Sequence, residues 1–399
     1  MSAPVLYDQV YDLLDRHLDP KVDISTRERI ALLVVGLLHG KSIAPAHIAR
    51  ALSTLGLSEA SAESLERRVR RSENDPELDA VFCLHPMVAH YLAVGSPNPL
   101  LLIIDPTTKQ DEVTLLAITI PYRGRSLPIA WTAWPGNQPL EGERFWERVN
   151  SLLQRIAPLL PKGVPVIVMG DRAFGTPAFL DLVIALGWHY IVRVQDQTRC
   201  RDQLGREEKV RSLICYSGQR VKGRYHVFKK AGWRQASVFV LHSRRQKGPL
   251  CLVTDLRPRW ETAYLYSRRY HIEAGFRDYK SHGWQWEASQ VRDLQHWDRL
   301  LVIMALATWI TLMAGTQMAT FILSEARRHC RLTRPAEGKY SLFQLGLDLL
   351  DRLLVLIGNL PINWRLTDWN ASDWSRQIVA AHVRHFLFSG CRMNRRAAS

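Results

Sequence analysis

Tyr266-Ser267-Arg268-Arg269-Tyr270-His271-Ile272-Glu273-Ala274-Gly275-Phe276-Arg277-Asp278-Tyr279-Lys280 sets Glu273 among cations and aromatic rings at helical spacing. Steps of three, four and seven residues separate Tyr266, Arg269, Glu273 and Lys280, and at about 100° per residue such steps return to nearly one azimuth. The run therefore predicts one helix with a phosphate-gripping face and an acid in its middle. An acid among bases is also what a solvated ladder of ion pairs looks like, so the rest of the chain has to decide.

Two more acids stand where strands are expected to stop. Leu101-Leu102-Ile103-Ile104 runs into Asp105-Pro106-Thr107, and Val164-Pro165-Val166-Ile167-Val168-Met169-Gly170 runs into Asp171-Arg172. Each reads as a short buried strand delivering an aspartate to its C-terminal tip, although an acid there also serves as a turn former or helix cap. Three converging carboxylates repel one another unless a divalent metal neutralises them. Oxygen-only donors suit Mg²⁺ or Mn²⁺ rather than zinc, and a pair of such ions supports in-line phosphoryl transfer.

On these residues the chain resembles the DDE-type cut-and-paste transposases of bacterial insertion sequences, in the group with the Tyr-x2-Arg-x3-Glu-x6-Lys signature. Tyr266, Arg269, Glu273 and Lys280 match every fixed position of that signature. Gly124-Arg125-Ser126, Gly170-Asp171-Arg172-Ala173-Phe174, Leu186-Gly187-Trp188-His189-Tyr190 and Arg299-Leu300-Leu301 resemble further landmarks in the family's order, so the likeness runs over about residues 90 to 320. The resemblance implies that Asp105, Asp171 and Glu273 form the catalytic triad and hold two Mg²⁺ ions, with Mn²⁺ able to substitute. It implies that Tyr266, Arg269 and Lys280 hold phosphates at the transposon end, and that the protein binds double-stranded DNA, both inverted repeats and target, as a homodimer. A hairpin intermediate is implied by the same resemblance. Relatives carry a Trp before the Leu252-Val253-Thr254-Asp255 segment that stacks on a flipped base, whereas this chain has Leu250 and Cys251. Tyr270, Trp233 and Trp260 are the rings that could take over, with ordinary packing expected for the two Trp residues.

Composition agrees with a nucleic-acid partner. Lys plus Arg number 53 against 38 for Asp plus Glu, a net charge of +15, and the pI is near 9.8. Such a balance favours phosphate contacts, as it would in an RNA-binding or merely cationic protein. The six Cys, at 83, 200, 215, 251, 330 and 391, form no CxxC pair, which argues against a disulfide framework or structural zinc. His382, His385 and Cys391 read as a helix surface and tail rather than metal ligands. The first thirty residues lack a continuous apolar core, so no secretory signal and a cytoplasmic location are expected; the resemblance implies a bacterial, nucleoid-associated one. Leu300 to Leu323 reaches the roughly 20 residues a bilayer requires, but its charged approach at Arg292, Asp293, Asp298 and Arg299 favours a buried core helix and no membrane.

The expected fold class is α/β: a ribonuclease-H-like catalytic core with an inserted β-subdomain, flanked by helical N- and C-terminal regions. Residues 1–90 form a helical DNA-binding domain, in which Pro45 to Leu52, a Gly56 break and the helix Ser61 to Arg71 resemble a helix-turn-helix presenting Arg67, Arg68, Arg70 and Arg71 to DNA. Residues 91–195 hold the first part of the core and 256–330 the second, with the Glu273 helix. Asp171 and Glu273 are 102 positions apart, too far for a simple strand-to-helix link, hence the insertion at 196–255. Residues 331–399 add helices near Leu342 to Leu356 and Trp374 to Phe388, with a basic tail at Arg392, Arg395 and Arg396, and by resemblance serve dimerisation. The functional expectation is Mg²⁺-dependent cleavage and strand transfer of an insertion sequence. The competing readings are a metal-dependent nuclease without strand transfer and an inactive transposase-derived DNA-binding regulator.

Overall fold

The computed structural model describes residues 3–243, 247–280, 283–328, 341–355, 362–367 and 369. The predicted helix at 374–388, the basic tail, and His382, His385 and Cys391 lie outside the described residues. In chain order the elements begin with helices α1 (Ala3–His17), α2 (Ile24–Gly40), α3 (Pro45–Thr54), α4 (Ala62–Ser72), α5 (Ala80–Cys83) and α6 (His85–Gly95). Strands β1 (Leu100–Lys109), β2 (Val113–Tyr122) and β3 (Arg125–Pro135) follow, then α7 (Gly142–Ile156), β4 (Val166–Gly170), α8 (Pro177–Ala185) and β5 (His189–Arg193). Next come β6 (Arg199–Arg201), β7 (Glu207–Lys209), β8 (Arg220–Val227), β9 (Arg234–Leu241) and β10 (Leu250–Thr254). Helices α9 (Trp260–Leu265), α10 (Tyr270–Tyr279), α11 (Leu294–Arg328) and α12 (Leu342–Val355) close the described chain.

Two compact units emerge, one from residues 1–95, 122–127 and 274–399 and the other from 96–121 and 128–273. This division departs from the boundaries expected from sequence. The N-terminal and C-terminal helical regions belong to one unit, and the dividing point falls inside α10, between Glu273 and Ala274.

The helical unit is organised by α11. By itself it is long and apolar enough to cross a bilayer, yet 94% of its most apolar window is buried, with α2 and α12 packed on it. An apolar surface on every side of a helix requires such covering. Gly315 on α11 and Gly346 on α12 let the two backbones meet: a Cβ at either would run into the carbonyl oxygen of Leu342 or Thr311. In the N-terminal part, the Ser61 hydroxyl accepts from the Ser64 amide at 3.2 Å to start α4, a normal N-cap, and α4 packs against α3.

In the other unit, β1, β4 and β5 read as near-continuous apolar runs because both faces of the sheet are covered. The sheet has ten strands in the order β3-β2-β1-β4-β5-β10-β9-β8-β6-β7. β1 with β4 and β4 with β5 are parallel, and β10 joins β5 antiparallel through Leu252↔Arg193 to Thr254↔Ile191. Strands β10, β9, β8, β6 and β7 thus extend the same sheet beyond β5. Only pairing across the chain shows that β10 adds to β5. The result is a mixed α/β protein built on one large mixed sheet.

Candidate active site

β1 and β4 run in parallel register from Leu100↔Val166 to Ile104↔Gly170. The next residue on each strand is an aspartate, Asp105 and Asp171. Asp105 is not at a strand tip as expected: β1 continues to Lys109, with Asp105 opposite Ala117 of β2. What ends after Ile104 is its pairing with β4. Asp171 does leave the sheet. Its Oδ1 accepts from the Ala173 amide at 2.8 Å, starting a 3₁₀ turn over Arg172–Phe174. The turn is pinned by Phe174, buried among Phe145, Trp146 and Phe179 with ring centroids 5.0 to 6.4 Å away. Gly170 has to be glycine there, since a Cβ would stand 2.6 Å from the Phe174 Cβ.

The signature is not one helix. Between α9 and α10 the residues Tyr266–Arg269 form a 3₁₀ turn. In that geometry positions three apart eclipse, so Tyr266 and Arg269 still share a line, and Glu273 follows four residues on in α10. Their environment differs from an open phosphate grip. The buried Tyr266 hydroxyl donates to the Gly170 carbonyl at 3.1 Å, and burial raises its pKa well above the usual phenol value. Arg269, 7% exposed, donates from Nη1 to Asp105 Oδ2 at 3.2 Å and from Nη2 to Glu273 Oε1. Its guanidinium carbon lies 4.7 Å from the Tyr270 ring centroid, and the Tyr270 side of that contact is open, with the residue 46% exposed.

Burial pushes the Asp105 carboxyl up to about 7; the Arg269 charge opposes the rise, while the charges of Asp171 and Glu273 add to it. The fold therefore brings the three predicted acids into one electrostatic neighbourhood. As placed, no group of three His, Cys, Asp or Glu among the described residues stands at metal-holding distances, and Arg269 takes up oxygens of two of the acids. The donor set nevertheless fits a hard divalent cation. It is oxygen-only, and Asp105 carries an anion disfavoured by burial and by like charges, which a bound cation would relieve.

Lys280 and the four arginines of α4 lie in the helical unit. Lys280 follows α10 and its Nζ stands 3.8 Å from Glu287 Oε1. Arg67, Arg68, Arg70 and Arg71 are exposed on α4, and two of them pair with acids one turn back, Arg67 with Glu63 and Arg70 with Glu66. Leu250 is half-buried on β10 beside buried Cys251.

Sequence reasoning missed three contacts in the sheet unit. The Gly170 carbonyl anchors Tyr266, and the Arg269–Asp105 pair joins residues 164 positions apart, a span that leaves no local signal. Asp255 Oδ2 meets His189 Nδ1 at 2.6 Å and its Oδ1 accepts from the Tyr190 amide at 3.2 Å, which ties the end of β10 to β5. The two Trp rings are half-buried as expected, but each sits under cations: Trp233 under Arg201, and Trp260 under both Arg220 and Lys222.

Residues 141–310 match the family model described as a transposase DDE domain. The matched span contains Asp171 and Glu273 and begins after Asp105. No curated protein matches the chain. The match supports a DDE transposase domain over those residues.

Proposed function

We propose that the protein is the transposase of a bacterial insertion sequence, which binds the inverted repeats at the element's ends and carries out cleavage and strand transfer on a ribonuclease-H-like core. The observation that carries this reading is the convergence of Asp105 and Asp171, each one residue past the last parallel pair of β1 and β4, with Glu273 of α10. The strand order β3-β2-β1-β4-β5 with β1 and β4 adjacent supports the core assignment.

In this reading Asp105, Asp171 and Glu273 would hold two divalent ions, Mg²⁺ or Mn²⁺, which when bound acidify an attacking water and offset charge on the leaving oxygen. Water attacks the phosphodiester at the element's end and frees a 3′-hydroxyl. That hydroxyl then attacks the opposite strand to close a hairpin, and after the hairpin opens it attacks target DNA. Tyr266, through Gly170, fixes the 3₁₀ turn against the strand bearing Asp171. Arg269 balances the carboxylates, and with Tyr266 and Lys280 it is assigned to phosphates of the transposon end. Tyr270, exposed and backed by Arg269, is the ring assigned to a flipped base. Arg67, Arg68, Arg70 and Arg71 are assigned to the inverted repeat, and the working form is a homodimer in the bacterial cytoplasm.

The test is mobilisation of a reporter flanked by the gene's own ends, with excision and joining scored separately. Excision with joining is expected. Cleavage without joining would reduce the protein to a nuclease, and end binding without cleavage would make it a regulator.

A further inference from the structure

β8 alternates in a way the catalytic reading does not use. Arg220, Lys222, Arg224 and His226 fall on one face, opposite Leu241, Phe239, Ser237 and Gln235 of β9. Trp260, the first residue of α9, packs its ring 5.8 Å from that of buried Phe239. On the same indole sit the guanidinium of Arg220 at 4.9 Å and the ammonium of Lys222 at 5.6 Å. Arg220 also donates from Nη1 to the exposed Tyr264 hydroxyl at 3.1 Å, and Arg224 donates to the Asp255 carbonyl at 3.4 Å.

Among the described residues neither Arg220 nor Lys222 pairs with a carboxylate, and both are exposed. Cation–π contacts at open sites contribute about 0.5–1 kcal/mol each, and they hold two like charges over one ring with no anion to offset them. Such a pair is an incomplete polyanion site. The ring's face is taken by the protein's own cations, which leaves phosphates rather than bases as what the surface can read. Its position is also fixed: Tyr264 precedes by two residues the Tyr266 whose hydroxyl is bound to Gly170, the neighbour of Asp171.

We propose that Arg220 and Lys222, held on Trp260 and Tyr264, grip the phosphate backbone of duplex DNA independently of sequence. This rests on the transposase reading for its choice of duplex DNA. The residues are positioning residues, since they touch none of the reacting groups.

The experiment titrates the full chain with a fluorescein-labelled duplex of arbitrary sequence over a range of salt, without Mg²⁺. Each phosphate contact contributes about 0.9 to the slope of log affinity against log salt, so the Arg220→Ala, Lys222→Ala double variant should lose about 1.8 and Lys222→Gln alone about 0.9. Exchange of the two charges, Arg220→Lys with Lys222→Arg, should keep the slope. An unchanged slope in Lys222→Gln, an exposed position with no fold to lose, would overturn the proposal. So would a larger loss of slope with heparin than with duplex, which would make the surface a general polyanion patch. Mg²⁺-dependent nicking by the unmodified chain is measured in parallel on a duplex carrying the gene's own element ends: absence of nicking there with the predicted slope loss would sink the transposase reading and leave the grip standing.

Discussion

Arg67 on α4 and Arg269 before α10 each bind a glutamate four residues away, but in opposite senses and surroundings. On α4 the acid comes first, Glu63 to Arg67 and Glu66 to Arg70, with the arginine side chains 67% and 56% exposed. That order suits a helix, and such pairs add about 0.3–0.5 kcal/mol. At the signature the base comes first, Arg269 to Glu273, with the arginine side chain 9% exposed and a second acid, Asp105, supplied by a distant strand. A cation ahead of a helix N-terminus opposes the helix dipole, so this pair does not serve the helix. It serves the acids. One motif of sequence, two residues at helical spacing with opposite charge, thus makes a solvated rung in one place and the counter-charge of a buried aspartate, Asp105, in the other.

The sharpest way to break the comparison is to remove the acids. Asp105→Ala, Asp171→Ala and Glu273→Ala should each lower Mg²⁺-dependent end cleavage by about 10³-fold or more while end binding persists in a gel-shift assay. Near-normal cleavage by any of them would mean that the cluster around Arg269 is structural, like that of α4.

Removing the base comes next. Arg269→Ala leaves Asp105 without its counter-charge. Breaking a fully buried pair costs about 3–5 kcal/mol; half-exposed Glu273 brings the expectation down to about 2 kcal/mol, read as a lower urea midpoint. A change no larger than that of Arg67→Ala would remove the distinction drawn between the two regions.

Protonation sharpens it further. The Asp105 carboxyl should titrate near pH 7 in the metal-free protein, followed by ¹³C NMR of labelled aspartate. Since Arg269 opposes the rise, Arg269→Ala should move that midpoint upward. The folded pKa lies above the unfolded value of about 3.9, so the folded chain binds more protons between about pH 4 and 7. The contribution of Asp105 to stability is therefore greatest at low pH and declines through that window. A midpoint near 4 would show that burial does not act on the Asp105 carboxyl.

The smallest effect is expected on α4. Arg67→Ala or Arg70→Ala should change stability by less than about 0.5 kcal/mol. If these arginines read the inverted repeat, either change should still weaken binding to the cognate end by about 1–3 kcal/mol. Equal binding by both variants would make α4 only a solvated helix.

The sequence by itself determined the parts whose causes are local. Short apolar runs set the paired stretch of β1 and β4, with an aspartate directly after each paired stretch. The 3-and-4 spacing of Tyr266, Arg269 and Glu273 aligned those side chains even though a 3₁₀ turn replaced the first stretch of helix. Gly56 followed the end of α3 and Ser61 capped the start of α4, and the charged approach to α11 went with a helix that is indeed buried. Only the tertiary structure decided which strands are neighbours. That choice places Asp105 beside Asp171, adds β10 to β5 so that the sheet extends beyond β5, and turns Arg269 inward to Asp105. The physical reason is range: periodicity and capping act over a turn or two of chain, whereas strand pairing and a buried ion pair spanning 164 positions are settled by which surfaces can exclude water together.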